Sequence, residues 1–136
     1  MGARTFKELD VWQLSNELKI GVYRLIASSA AERDFGFRDQ LRDSAASAPR
    51  NIAEGFGRFL PREFSQYLRI ANGSLMETSN HLEDGCDRGY FKRGDVEPLL
   101  VLAKRASAAS TRLIRYLQSP AVNRRTHARP EPKNNP

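Results

Sequence analysis

Hydrophobic positions in this chain recur at steps of three and four, the spacing that stacks side chains on one face of an α-helix. The first run is Val11, Leu14, Leu18, Val22 and Leu25, entered through Phe6 and Leu9, with Asp10 placed to cap its start. Gly21 weakens this helix by about 1 kcal/mol relative to alanine unless a close neighbour uses the missing side chain. The segment ASSAAERDFG then breaks the pattern. A second run follows as Phe37, Leu41, Ala45, Ala48 and Ile52, and its alanines with Ser44 leave a thin face that another helix can approach. Pro49 falls inside it, lacks an N–H and clashes with the preceding turn, which predicts a kink or a local break. Gly55 and Gly57 predict the stop, and Pro61 and Glu63 suit the first turn of a third helix.

The third run, Phe64, Leu68, Ala71, Leu75, Thr78 and Leu82, steps by four, three, four, three, four, as a bundle seam requires, and Cys86 extends it by a turn. DRGYFKRG ends it, and Asp95 is placed to cap a fourth helix with Pro98 in its first turn. That helix carries Val96, Leu99, Ala103, Ala106, Ser110, Leu113 and Leu117, with Leu102, Ala109 and Tyr116 in a stripe beside the seam. Short connections favour antiparallel neighbours, so the pattern predicts an all-α, antiparallel up-down-up-down four-helix bundle over residues 1–119. Residues 120–136, PAVNRRTHARPEPKNNP, are proline-rich and almost without apolar side chains, which predicts a disordered basic tail.

A single bundle needs one apolar stripe per helix, and this chain has more. Trp12, Tyr23 and Ile26 stand off the first seam, Tyr67 and Ile70 off the third, and Leu100, Leu102, Ile114 and Tyr116 off the fourth. Such a surplus marks either a contact surface or a widened core. The first alternative predicts self-association, with Trp12, Tyr23, Tyr67, Leu102 and Tyr116 as candidate interface residues.

Composition narrows the chemistry. The 136 residues suit one domain with one core, and 40% apolar with 28% charged residues is the balance of a globular protein. No apolar run reaches membrane-spanning length and the N-terminus has no signal-peptide pattern, so the expected location is cytoplasmic. One cysteine and two histidines, His81 and His127, make a Cys/His metal cluster improbable, and neither a metal nor a cofactor is expected. A di-iron bundle site needs two Glu-x-x-His pairs; here Glu77 precedes His81 by four, which reads as a helix-surface pair. Cys86 has no base beside it in any recognisable arrangement, and GFGRF lacks the strand and the Gly-Lys-Ser/Thr of a phosphate loop. No catalytic residue emerges. Formal charge is +6, about half of it in segment 120–136, so basicity permits a polyanionic partner without demonstrating one.

The segment SAPRNIAEGFGRF stands out. Glu54 and Arg58 are four apart and placed to pair, Arg50 and Asn51 are read as sharing an exposed side, and Arg62 and Arg69 follow on the next helix. If these positions form one patch, Arg50, Arg58, Arg62 and Arg69 are candidate nucleic-acid contacts, with Tyr67 or Phe59 available to stack on unpaired bases. The alternative is a solvated charged face without a specific ligand.

That segment, with FKELDVWQLSNEL, FRDQLRDSAASAPRNIAEGFGR and LRIANGSLMETSNHL, resembles the four-helix-bundle proteins of 23S ribosomal RNA intervening sequences, from about Phe6 to Leu117. Its markers fall in the family's order: Asp10 and Trp12; Gln40 and Leu41; Asn51 through Gly55; Arg58; then Ala71, Gly73, Ser74, Leu75 and Glu77. The resemblance implies a bundle that assembles as a homopentamer and has no catalytic activity. It also implies a fold similar to that of the accessory variability determinant of diversity-generating retroelements, a basic pentamer that works with a reverse transcriptase and nucleic acid. The chain departs from the family where Leu60 replaces the usual Ser or Thr cap before Pro61 and Glu63. Two functions follow as expectations: a non-enzymatic oligomer that binds or scaffolds RNA, DNA or a ribonucleoprotein, or a protein-interaction scaffold that binds no nucleic acid.

Overall fold

The structure, a computed structural model, describes residues 2–122. Four long helices pack together: α1 Asp10–Ala27, α2 Phe35–Gly57, α3 Pro61–Asp87 and α4 Arg93–Leu117, with single 3-10 turns at Phe6–Glu8 and Ala30–Arg33. No strand occurs among the described residues. Helices α1 and α3 each pack on both α2 and α4, so the four enclose one core. Leu18, Leu41, Ile52, Leu68, Leu75, Leu82 and Val96, all from the predicted seams, are fully buried there. Residues 120–122, expected to begin the tail, have helical backbone, and Val122 is buried. The rest of the expected tail lies outside the described residues.

The thin face of α2 does what small side chains permit: α2 and α3 share the most extensive contact in the fold. Serine and threonine hydroxyls bridge the seam. Thr78 donates to Ser44 at 3.0 Å, and Ser47 and Ser74 share a hydrogen bond of 2.7 Å. Gly55 continues the close approach, since a Cβ there would stand 2.6 Å from the Cβ of Tyr67. Gly21 plays the same part between α1 and α4, where a Cβ would meet Leu99 at 2.5 Å.

Several local expectations are corrected. Of the kink or break expected at Pro49, the break does not occur: α2 is one continuous helix through the buried Pro49, and packing between its neighbours outweighs the one backbone bond that proline removes. Gly55 is a packing position inside the helix; α2 ends at Gly57, and the left-handed residue beyond it is Phe59, at φ 62°. The residue preceding α1 is Leu9, with Asp10 already helical, and α4 starts at Arg93 after Lys92, with Asp95 in its first turn. At both places the carboxylate favours the positive end of the helix by proximity rather than by capping. Pro98 accordingly lies beyond the first turn of α4. Leu60 precedes α3 with no side-chain cap, as its apolar side chain dictates. A cap that hydrophobic periodicity could not reveal is Asp34, whose carboxylate accepts the Phe37 N–H at 3.3 Å and starts α2.

The apolar surplus divides in two. Ile26 is fully buried, because the inner face of α1 passes through Ser15 and Ile26 and leaves Leu14 and Leu25 on its flanks. Trp12 sits edge-on to Phe6 at 5.2 Å and packs on the core, as do Leu100, Leu102 and Ile114. These widen the core. Ile20, Tyr23, Ile70, Met76, Val101 and Tyr116 remain exposed.

Candidate nucleic-acid interface

The expected patch is not one place: Arg58 is separated from Arg62 and Arg69, and Arg50 lines neither setting. At the end of α2, Arg58 donates to Glu54 at 3.2 Å and to the Tyr67 hydroxyl at 2.8 Å, and its guanidinium lies 5.3 Å from the centre of the Tyr67 ring. The Glu54 hydrogen bond chiefly raises the Arg58 pKa and keeps the group protonated. Arg58 is thus already engaged, and the Tyr67 face it covers is not open to a base. Asn51 points inward, donating to the Ser47 carbonyl at 2.8 Å and to its hydroxyl at 3.0 Å, so it does not share the exposed side with Arg50.

Arg62 and Arg69 lie elsewhere on α3. A helix turns about 100° per residue, which puts Arg69 roughly 160° around the axis from Tyr67. Both arginines line a groove closed by Leu117 and Gln118 at the end of α4. Arg50, Arg62 and Arg69 are exposed and make no hydrogen bond or ion pair among the described residues. Phe59, 80% exposed beside this end of α3, presents a free aromatic ring. Ser65 and Gln66, which line the groove with the two arginines, were not singled out from sequence; the signal was Arg62, Gln66 and Arg69 recurring at four and three.

Several other titratable groups are engaged within the chain. Glu77 and His81 lie 3.4 Å apart, the surface pair expected from their spacing. The Cys86 thiol is half-buried against the core, and burial raises its pKa, which keeps it protonated and unreactive. Among the described residues no group of three His, Cys, Asp or Glu side chains converges as a metal site. Two clusters tie helix ends together. Asp34 accepts from the Tyr90 hydroxyl at 2.7 Å and from Arg88 at 3.1 Å, while Arg93 grips Glu83 through contacts of 2.7 and 3.0 Å. The Tyr90 hydrogen bond lowers the Asp34 pKa most, and the Arg93 hydrogen bond does the same for Glu83.

On the outer side of α3 and α4 runs a second groove of about 820 Å³, floored by Leu75, Leu100 and Ala103. Met76 and Val101 on its rim are 68% and 53% exposed. Of the five aromatic and aliphatic residues expected at an interface, Tyr23 and Tyr116 are exposed, whereas Trp12, Tyr67 and Leu102 are half-buried. No helix among the described residues is long and apolar enough to cross a membrane.

Fold and surface together define an all-α protein of four packed helices with unpaired arginines on its faces and an apolar groove on one side. The family model described as 23S rRNA-intervening sequence protein matches residues 7–112, and the chain belongs to that family. The fold is similar to a crystal structure of a protein of unknown function from the S23 ribosomal protein family of Bacteroides thetaiotaomicron. The TM-score is 0.67 at 21% identity, over 80% of this chain and 99% of that one. No curated protein matches.

Proposed function

We propose that this chain is a non-enzymatic cytoplasmic protein that assembles into a homo-oligomer, a pentamer as its family resemblance implies, and binds or scaffolds nucleic acid or a ribonucleoprotein. The single observation that carries the binding role is the set of exposed arginines, Arg50, Arg62 and Arg69, with no carboxylate partner among the described residues. Each copy offers few such groups, but a ring repeats them, and multivalency converts modest charge per chain into avidity. A reverse transcriptase is a partner of the same reading, since it would share the bound strand.

Assembly uses the apolar groove of α3 and α4. A closed ring is built from heterologous contacts, in which one surface of a copy meets a different surface of the next. Met76 and Val101 provide one such surface, and Ile20 with Tyr23 on α1 provides another. The antiparallel up-down-up-down order belongs to this reading. It is supported by paired contacts that run in opposite directions along the chain: Ser44 with Thr78 and Ser47 with Ser74, then Glu83 with Arg93 and Leu68 with Ser110.

A second reading, a protein-interaction scaffold that binds no nucleic acid, draws on Arg58, whose guanidinium is committed to Glu54 and Tyr67 within the chain. Titration of the full chain with single-stranded RNA and with duplex DNA across a salt series separates the two. Binding whose log affinity falls linearly with log salt supports the nucleic-acid reading. No binding at low ionic strength rejects it and leaves the scaffold.

A further inference from the structure

The groove between the start of α3 and the end of α4 has a volume of about 400 Å³ and is lined by Arg62, Ser65, Gln66, Arg69, Leu117 and Gln118. Arg62 and Arg69 are seven residues apart, about 10 Å of helix rise, so their long side chains can converge on one anion from two sides. Two guanidinium groups on one helix face repel each other, and among the described residues no carboxylate lines the groove to offset them. Gln66 stands between them and adds an amide donor. Ser65 supplies an independent observation: it is 3% exposed, and its hydroxyl has no hydrogen-bond partner. Buried polar groups are nearly always paired, so a hydroxyl left unpaired against a basic groove is a donor without its acceptor.

We propose that this groove holds the phosphate of a nucleotide unit. Arg62 and Arg69 pair with the non-bridging oxygens in the forked geometry guanidinium groups favour, and the Ser65 hydroxyl and Gln66 amide donate to the remaining acceptors. Leu117 offers an apolar wall to the organic part. The volume lies at the small end of the range of about 300–1,000 Å³ seen for small-molecule sites, which suits one nucleotide better than a bare phosphate ion. This deepens the nucleic-acid reading and rests on it only for the source of the phosphate, a strand or a free nucleotide.

The test titrates the full chain at low ionic strength with adenosine monophosphate, with adenosine, and with a single-stranded oligouridylate. The monophosphate is expected to bind and adenosine is not. Joint replacement Arg62→Gln and Arg69→Gln should weaken both phosphate ligands at least about tenfold, whereas Arg24→Gln in the last turn of α1 leaves monophosphate affinity unchanged. Ser65→Ala should weaken the monophosphate several-fold without lowering the melting temperature, because that hydroxyl makes no bond in the free chain. Monophosphate affinity that survives the double replacement or Ser65→Ala, or equals that of adenosine, overturns the groove. If RNA still binds the double variant as tightly as the parent, the groove falls and the nucleic-acid reading stands. If the monophosphate binds through Arg62 and Arg69 but RNA does not bind at all, the groove stands and the nucleic-acid reading falls. Binding of neither ligand overturns both.

Discussion

The hydroxyls of Ser47 and Ser74, 27 residues apart in the chain, meet at 2.7 Å across the seam between α2 and α3. One turn along, Thr78 donates to Ser44, and Ser44 in turn donates to the Leu41 carbonyl at 3.1 Å. Small side chains let the two helices approach, and the approach brings their hydroxyls into bonding range. Thr78→Val keeps the volume but removes this link, and should lower the unfolding free energy by about 1 kcal/mol in a chemical denaturation curve. Combined with Ser44→Ala, the loss should be less than the sum of the two single losses, because the residues are direct partners.

Two glycines of α2 should respond in opposite directions. A methyl at Gly55 meets the Cβ of Tyr67, an atom fixed to the backbone of α3, so Gly55→Ala forces the helices apart. It should cost about 1–3 kcal/mol, the usual range for overpacking. Gly57 has open space around it, and Gly57→Ala should gain about 0.5–1 kcal/mol through reduced chain entropy in the unfolded state. Thermal melts of the two variants against the parent check the sign of each change.

Phe59 holds a left-handed backbone at φ 62° with its ring 80% exposed, so it bears conformational cost without core contact. Phe59→Gly should raise stability by about 1 kcal/mol, read from the denaturation midpoint. If the ring stacks on unpaired bases, the same variant should weaken binding of single-stranded RNA while leaving duplex DNA little affected.

The Asp34 cluster predicts a defined acid response. Its carboxylate binds protons more weakly in the folded chain than its ordinary value of 3.8 implies, chiefly because Tyr90 donates to it. The stabilisation is therefore complete above that ordinary value and is lost as pH falls through the lowered folded value. Glu83 behaves in the same sense beneath 4.5, held down by Arg93. Asp34→Asn retains a capping side chain but no titratable charge, so its melting temperature should fall less steeply than that of the parent below about pH 4.

Periodicity made the four helices and most of the core legible, because burial of one stripe per helix is what drives their formation. That some helix could approach α2 closely was legible too, in the alanines and Ser44, though not that the partner is α3. What escaped depends on tertiary geometry. Pro49 signals a break locally, yet packing on both sides holds α2 continuous. Asp34 caps α2 through a local bond to Phe37, three residues on, but becomes the acceptor for Tyr90 and Arg88 only once residues more than fifty positions away fold over it. The arginines of SAPRNIAEGFGRF and of the start of the next helix looked like one patch, but the structure turns Arg58 toward Tyr67 and Arg62 with Arg69 toward Leu117. Likewise, off-seam apolar residues cannot be sorted by spacing alone: Trp12 and Ile26 turn inward, whereas Met76 and Val101 stay outside.

Pooling of arginines across copies requires that the chain assemble, and sedimentation equilibrium of the full chain at micromolar concentration measures that directly. The expected mass is about five times the 15.4 kDa of one chain, with Val101→Asp or Met76→Asp shifting it toward a single chain. A folded parent protein that sediments as one 15.4 kDa unit across that range contradicts self-association, and with it the repeated basic surface.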